Sequence, residues 1–371
     1  MDFDFSDEQE QLRDAVRKWV HKAYGFEERR RIVAEGGFSA TAYQALAELG
    51  LTGLYIQDAY GGMGMGPVEG MVTMEELGRG MLLEPLSHAW ISSAVLQGFA
   101  PEAMKKSWLP RIASGESLVV LAQQERANRY HLEKCHTTAS EHDGVWHVSG
   151  HKSLVAAGDH AHAFLVPAMY QGQLALFLVE RSSATDTSRR YHAQDGSCMS
   201  ELFLNNASAS LVSLQGLAAL QLGVDVGIAA LCAESVGLME KTLAVTVEYM
   251  NTRKQFGVPI AAFQALQHRV ADMKMQLELG RSMSYYATLK LQAPADERSL
   301  AVSRAKMQMG KSTRHVGQEA VQLHGGIGVT DEYIVSHCFK RLTQMEMTFG
   351  DSLHHLSRVS AHMQETAGVF A

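Results

Sequence analysis

Four cysteines, Cys135, Cys198, Cys232 and Cys338, are all that this 371-residue chain carries, and they lie far apart with no CxxC pair and no cysteine–histidine ligand spacing. That pattern speaks against a disulfide framework and against a zinc site, so no metal is expected, and a reducing compartment such as the cytoplasm follows. Basic clusters are also lacking. The chain has 33 Lys and Arg against 40 Asp and Glu, a net charge of −7, with no Lys/Arg block. A nucleic-acid-binding surface is therefore not expected. No apolar run approaches the roughly 20 residues that span a bilayer, and no membrane span is expected. The start, MDFDFSDEQEQL, is acidic where a targeting peptide would be basic. These absences describe a soluble intracellular protein.

What is present suffices for real cores: 46% of residues are apolar and 20% charged. The length suits two or three domains of roughly 100–200 residues each. Three zones follow along the chain. Residues 1–118 read as a helical domain. Ser6 with Gln9 forms a capping box, Leu12, Val16, Trp19 and Val20 make one apolar face, and a helix around Tyr43 to Leu49 stops at Gly50. The glycine-rich run Gly61 to Gly66 lacks a preceding strand and the spacing of a dinucleotide fingerprint, and reads as loop. Residues 119–214 switch to a period of two. Strand candidates at Val145–Val148, Ala163–Val166, Leu174–Val179 and Glu201–Leu204 are punctuated by Asp143-Gly144, Gln171-Gly172 and Asp195-Gly196, which predicts a compact β domain. Residues 215–371 return to helical spacing, with a run from Leu217 to Met250 and a stripe Phe263, Leu266, Val270, Met273, Leu277, which predicts long antiparallel helices. The nineteen methionines read as core filler. The fold class is α+β: helices, a small barrel-like β domain, then a four-helix-bundle domain.

Two segments carry more than packing. Tyr249 to Gly257 (YMNTRKQFG) closes one long helix, and its ordinary reading has Arg253 and Lys254 complementing a helix C-terminus that Gly257 caps. Gln322 to Gly328 (QLHGGIG) closes another helix. Three glycines in four positions exceed what a cap needs, and glycine lets backbone amides approach a ligand oxygen.

Taken together with LAELGLTGL (46–54), YGGMG (60–64), MEELGRG (74–80), VSGHKSLVAAG (148–158), NTRKQFGVPIAAFQALQHRVADM (251–273) and QLHGGIGVTDEY (322–333), these segments resemble the acyl-CoA dehydrogenase family of flavoproteins. The acidic start and FGDSLHHL (349–356) look most like the small subunits of pimeloyl-CoA-type dehydrogenases. The resemblance implies FAD as cofactor, an acyl-CoA substrate, an electron-transferring flavoprotein as acceptor, and an oligomer with itself or with a homologous large subunit. It also implies that the arginine of RKxFG pairs with the FAD pyrophosphate of a neighbouring subunit while the glutamine and glycines of QxxGGxG hold the adenosine side. Carried over, Arg253, Gln255, Phe256, Gln264, Gln322, Gly325 and Gly326 make an ADP clamp, consistent with a diphosphate's need for a permanent forked cation and close backbone donors.

The isoalloxazine side departs from the family pattern. The signature TEPGAGSD aligns with Gln124 to His131, keeping Gln124 as a cofactor candidate but replacing GAGS by Ala127-Asn-Arg-Tyr130. The WIT or WIS signature becomes Leu154-Val-Ala156, without the hydroxyl that serves flavin N5. The base position of YEGT falls on Phe349, the alternative base position on the long helix falls on Gly227, and the family's acyl-site arginine, one residue further on, becomes Ile228. Asp351 is the nearest carboxylate; it is either a displaced base or the cap of a helix starting near Ser352. His354-His355 point about 100° apart on a helix and read as a surface or interface pair. Glu125 and Arg129 would pair if their stretch were helical. The expected function is a small subunit of an FAD-dependent acyl-CoA dehydrogenase that lacks the usual glutamate and shares FAD with a partner. The alternatives are a non-catalytic subunit without flavin, and a flavin monooxygenase or nitroalkane-oxidase-like enzyme on the same fold.

Overall fold

The structure is a computed structural model that describes residues 5–182 and 184–367; Met1 to Asp4 of the acidic start lie outside the described residues. Helices α1 (Asp7–Ala23), α2 (Phe26–Ala34), α3 (Ala40–Glu48), α4 (Pro67–Gly80), α5 (Leu86–Phe99) and α6 (Glu102–Ala113) come first. Strands β1 (Val119–Leu121), β2 (Thr138–His142), β3 (Val145–Ala156), β4 (Ala163–Tyr170), β5 (Gln173–Glu180), β6 (Thr185–Asp186), β7 (Arg190–His192) and β8 (Cys198–Ser213) follow. The rest is α7 (Gly216–Thr252), the short hairpin β9 (Lys254–Gln255) and β10 (Val258–Pro259), then α8 (Gln264–Lys290), α9 (Ala295–His324), α10 (Ile334–Met347) and α11 (Ser352–Ala367). The chain divides into two compact units, one of residues 1–29, 67–82 and 228–371, the other of residues 30–66 and 83–227.

In the first unit, Ser6 and Gln9 close the amino end of α1 by reciprocal hydrogen bonds, which satisfy amides that no helical carbonyl can reach. α9 is the central helix of the carboxy-terminal bundle, in contact with α8, α10 and α11. Its buried positions Val302, Ala305, Met309, Val316 and Ala320 recur at the helical period. The stripe expected on α8 sinks into this core only from Met273 onward; Phe263 is exposed, and Leu266 and Val270 are half-buried. α4 meets α7 at backbone distance: a Cβ on Gly78 would lie 2.1 Å from the Glu234 carbonyl oxygen, and one on Gly237 would lie 1.8 Å from that of Glu75.

In the second unit, strands run in the order β1-β4-β2-β3-β8-β5, and β4 pairs again with β5, so the sheet closes into a barrel. Phe164, Val166, Phe177, Val179, Leu202 and Leu204 fill its interior. Two hairpins are set by two-residue turns in which both residues have positive φ, Asp143-Gly144 (52° and 80°) and Gln171-Gly172 (48° and 80°). Turns of that hand match the twist of the flanking strands. β3 is far longer than the four residues expected, because register shifts opposite β8 at Val148/Gly150 and Lys152/Val155 interrupt its alternation.

One expectation fails on α7. Its 37 residues include an 18-residue stretch of mean hydropathy 1.7, long and apolar enough to cross a bilayer, against the reading that no such run exists. Burial of 78% of that stretch accounts for its apolarity as that of a core helix.

The glycines give a direct contrast. Gly78→Ala and Gly237→Ala should each destabilise the chain by about 1–3 kcal/mol, because backbone must move to admit the methyl group. Gly326→Ala, where a Cβ meets nothing within 4 Å, should stay within about 0.5 kcal/mol of wild type in urea denaturation.

Candidate functional site

The two motif-bearing segments meet in the first unit. The Tyr249 ring stacks on His324 at 4.3 Å, its hydroxyl donates to the His324 carbonyl at 3.3 Å, and Tyr333 closes on both rings. The end of α7 therefore lies beside the end of α9. Arg253 follows α7 with its amide bonded to Tyr249 O at 2.8 Å, and its own carbonyl accepts from Ile260 at 2.8 Å. Gly257 does not cap α7, contrary to the ordinary reading. With Phe256 it forms the two-residue turn between β9 and β10, and both have positive φ, 55° and 84°. Phenylalanine is a costly choice there, since its Cβ crowds the backbone in the left-handed region. Yet its ring is 91% exposed and so does little for this chain's own core.

Arg253, Gln255, Gln264 and Gln322 are all exposed, and none of their side chains has a hydrogen bond or ion pair among the described residues. Gly325 ends α9 with φ 62°, and neither it nor Gly326 has any atom within 4 Å of where a Cβ would sit. A forked cation without a partner, beside backbone with open space in front of it, suits a diphosphate. The ADP half of FAD thus fits this surface.

In the second unit the stretch after β1 is not helical, and Glu125 does not pair with Arg129. Its carboxylate lies 2.7 Å from Lys152 Nζ and accepts from the His136 and Thr137 amides at 2.7 and 3.1 Å and from the Thr137 hydroxyl at 2.7 Å. Both charges are buried. Burial pushes the Glu125 carboxyl up, but Lys152 and these donors outweigh it and hold it at about 2. Gln124 is half-buried, and its carbonyl accepts from Ser153 at 2.8 Å. Leu154 bulges out of β3 with φ 53° and its side chain exposed, and the Tyr191 hydroxyl takes its amide at 3.1 Å. Nearby, Glu201 bonds His151 and pairs with Arg126 at 3.3 Å, while the His151 ring stacks on Phe203 at 4.2 Å. No hydroxyl stands in Leu154-Val155-Ala156, so this stretch offers side chains unlike those the ring half of a flavin would need.

The loop between α10 and α11 carries the expected base position. Phe349 has φ 58° and Gly350 φ 113°. Buried Lys306 donates to the carbonyls of Met345, Glu346 and Gly350 at 2.8–2.9 Å, and burial pushes its ammonium down to about 8. Asp351 Oδ1 accepts from the His354 amide at 2.8 Å, so the carboxylate closes the start of α11, as the capping alternative holds. The histidine pair is not a surface pair. His355 is fully buried, with Nε2 3.0 Å from the Phe349 carbonyl, and burial and then Lys306 push it down to about 3, so it is neutral and donates that bond. Nothing in the spacing of the sequence points to Lys306 or Lys152, and the burial of His355 is hidden by its pairing with His354.

Comparison with known proteins agrees with this architecture. Residues 6–116 match the family model described as acyl-CoA dehydrogenase, N-terminal domain, and residues 215–364 match its C-terminal domain. The chain belongs to the acyl-CoA dehydrogenase family, oxidoreductases that act on a CH–CH group with FAD as cofactor. It is 29% identical over 348 residues to acyl-CoA dehydrogenase FadE12 of Mycobacterium tuberculosis, covering 89% of each chain. Among solved structures it superposes on the Tcur3481-Tcur3483 steroid ACAD with a TM-score of 0.90 at 26% identity, covering 98% of this chain and 99% of that one. It superposes on a chain of the ChsE4-ChsE5 complex of Mycobacterium tuberculosis with a TM-score of 0.91 at 24% identity, covering 99% and 100%.

Replacing Glu125 by Gln should cost about 3–5 kcal/mol, because Lys152 is left buried and uncompensated. The pH dependence has a definite sign. A carboxyl held at about 2 when folded and near 4.3 when unfolded contributes stability that is complete above the unfolded value and lost as pH falls towards 2. Urea melts of wild type and Glu125→Gln between pH 7 and 2 should therefore converge at the acid end.

Proposed function

We propose that this chain is the small subunit of a hetero-oligomeric, FAD-dependent acyl-CoA dehydrogenase acting on a medium-chain or dicarboxylic acyl-CoA in the cytoplasm, and that it completes an FAD site seated mainly in a neighbouring subunit. One observation carries the reading: an exposed, unpartnered clamp is combined with a base position occupied by Phe349. Two of the similar solved structures, Tcur3481-Tcur3483 and ChsE4-ChsE5, are named as pairs of chains. This supports a partner that is homologous but not identical. Electron-transferring flavoprotein is the acceptor this reading implies.

α,β-Dehydrogenation needs a carboxylate at the α-carbon and hydrogen bonds to the thioester oxygen, while bound flavin supplies the acceptor for the β-hydride. In this division of labour, Arg253 gives its two-pronged guanidinium to the pyrophosphate. Gln255, Phe256 and Gln264 line the same edge, and Gln322 with the amides at Gly325 and Gly326 takes the adenosine side. Gln124 is a candidate cofactor contact through its half-buried side chain. The proton is taken by the partner's glutamate. Asp351 is a weak substitute, since acting as base would require it to release the amide of His354.

Arg253→Ala should weaken FAD binding by the co-purified assembly about tenfold to a hundredfold, the equivalent of a lost charge-assisted contact of about 1.5–3 kcal/mol. Phe256→Gly should stabilise the isolated chain by about 1–2 kcal/mol through relief of the left-handed conformation, while also lowering FAD retention. Flavin fluorescence titration and urea melts read the two effects separately. Unchanged FAD affinity in both variants would remove the clamp assignment.

The isolated chain, reconstituted with FAD, should reduce its flavin about 10²–10⁴ times more slowly with pimeloyl-CoA or octanoyl-CoA than the assembly does, the usual cost of a missing general base. Stopped-flow absorbance measures this, with Asp351→Asn alongside. Fast reduction by wild type alone would overturn the shared-site reading, and its loss in Asp351→Asn would make Asp351 the base.

A further inference from the structure

Away from the clamp and the base loop, one group of side chains has no role in the reading above. Asp159, His160 and Cys198 bring one carboxylate oxygen, one imidazole nitrogen and one sulfur to within 4.8 Å of one another, the one such three-residue group among the described residues. All three belong to the barrel-containing unit. We propose that these residues form a divalent-metal site of the zinc class that clips the turn after β3 to the first residue of β8.

The geometry is nearly assembled without an ion. Cys198 Sγ lies 3.0 Å from Asp159 Oδ1, and His160 Nε2 lies 3.6 Å from Asp159 Oδ2. Ligand atoms at zinc bond lengths of about 2.0–2.3 Å in a tetrahedron sit about 3.3–3.7 Å apart; the two Asp159 contacts are near that spacing, and the three donors, within 4.8 Å of one another, would draw together by side-chain rotation. The backbone already holds both sides in place. Ala157 donates its amide to the Cys198 carbonyl at 2.9 Å, and the Cys198 amide bonds the Gly37 carbonyl at 3.3 Å. The His160 ring is stacked on Phe38, with centroids 4.4 Å apart. This fixes the imidazole plane from outside the ligand set, as outer-shell contacts do at metal centres.

The donor set selects the metal. A thiolate with an imidazole and a carboxylate favours zinc over calcium or magnesium, which take oxygen ligands. Three protein ligands leave a fourth position for water, and His160, 40% exposed, gives an entry path. Two cations face Asp159: Arg190 Nη1 is 3.7 Å from Oδ2 with its side chain 76% exposed and free to swing out, and Arg181, bonded to the Ala161 and Gly158 carbonyls, stays beside the carboxylate when a metal binds. Without a metal, the Cys198 thiol donates its hydrogen to the Asp159 carboxylate at 3.0 Å. Metal binding must expel this proton. The sequence hid the site because Asp159-His160 and Cys198 are separated by four strands, β4 to β7, outside any short ligand spacing.

The test uses the full chain, stripped with a chelator and titrated with Co²⁺ as a spectroscopic probe and then Zn²⁺. One equivalent of Co²⁺ should produce a thiolate-to-cobalt charge-transfer band with tetrahedral d–d bands, release about one proton per ion, and be displaced by Zn²⁺. Cys198→Ser should abolish the charge-transfer band and the proton release. His160→Ala should weaken binding at least about tenfold, and Arg190→Ala should tighten it by removing the competing charge. Absence of the band at one equivalent, or its persistence in Cys198→Ser, would overturn the proposal. None of these readouts involves FAD or acyl-CoA, so the result is independent of the dehydrogenase reading.

Discussion

A buried ammonium held by three backbone carbonyls decides what the base loop can be. Lys306 projects from α9, and the oxygens of Met345, Glu346 and Gly350 satisfy it. The last turn of α10 leaves carbonyls without helical partners, and a cation there meets both the unmet hydrogen bonds and the negative end of the helix dipole. The neighbouring contacts follow from that anchor. Glu346, kept next to it, accepts from the Ser352 amide and hydroxyl at 3.1 and 2.9 Å, and Ser352 sits so tightly that a Cβ on Gly310 would lie 2.1 Å from its oxygen. Asp351 then caps α11, and neutral His355 reaches back to the Phe349 carbonyl. The backbone at residue 349 is thus placed by its surroundings, with its carbonyl held by His355.

The motif residues of the bundle and the motif-aligned stretches of the barrel unit differ in character. The clamp on the bundle consists of exposed groups with unused bonding capacity: a forked cation, three amides and an aromatic ring in solvent. The stretches of the barrel unit that align with the flavin-ring signatures are internally satisfied instead. Glu125 spends its oxygens on Lys152, Thr137 and His136, Glu201 is shared by His151 and Arg126, and the Leu154 amide is taken by Tyr191. Unspent polar groups on a surface cost little while water solvates them, and they become valuable when a ligand removes that water. Groups already paired gain little from a new ligand. This contrast supports the proposal that FAD is shared with a neighbouring subunit.

Much of the architecture was legible because local signals and tertiary packing agree. The capping box of Ser6 and Gln9, the turns at Asp143-Gly144 and Gln171-Gly172, and the long apolar run of α7 each state their conformation within a few residues. Where the reading went astray, the deciding contact was distant in sequence. β3 was seen as four residues because its bulges break the alternation that identifies a strand. Gly257 was read as a cap because a glycine after a helix has two common uses, and only the return of β10 distinguishes them. Glu125 finds Lys152 across 27 positions, and no periodicity connects the end of a strand with the middle of another. The proposed clamp residues rest on motif resemblance, since an exposed arginine and two open glycines look like ordinary surface in any local reading.

Phe256 carries a consequence for how such a chain changes over evolutionary time. A left-handed phenylalanine at the tip of a hairpin is a burden to the isolated fold, and its ring, 91% exposed, returns almost nothing in burial. On the proposed shared-site reading, such a residue is kept for what it meets outside the chain. In a lineage that lost the neighbouring subunit, this position would be among the first to drift to asparagine or glycine, ahead of Arg253, whose charge is no burden on a solvated surface. The identity of one turn residue would therefore record whether the chain still has a partner.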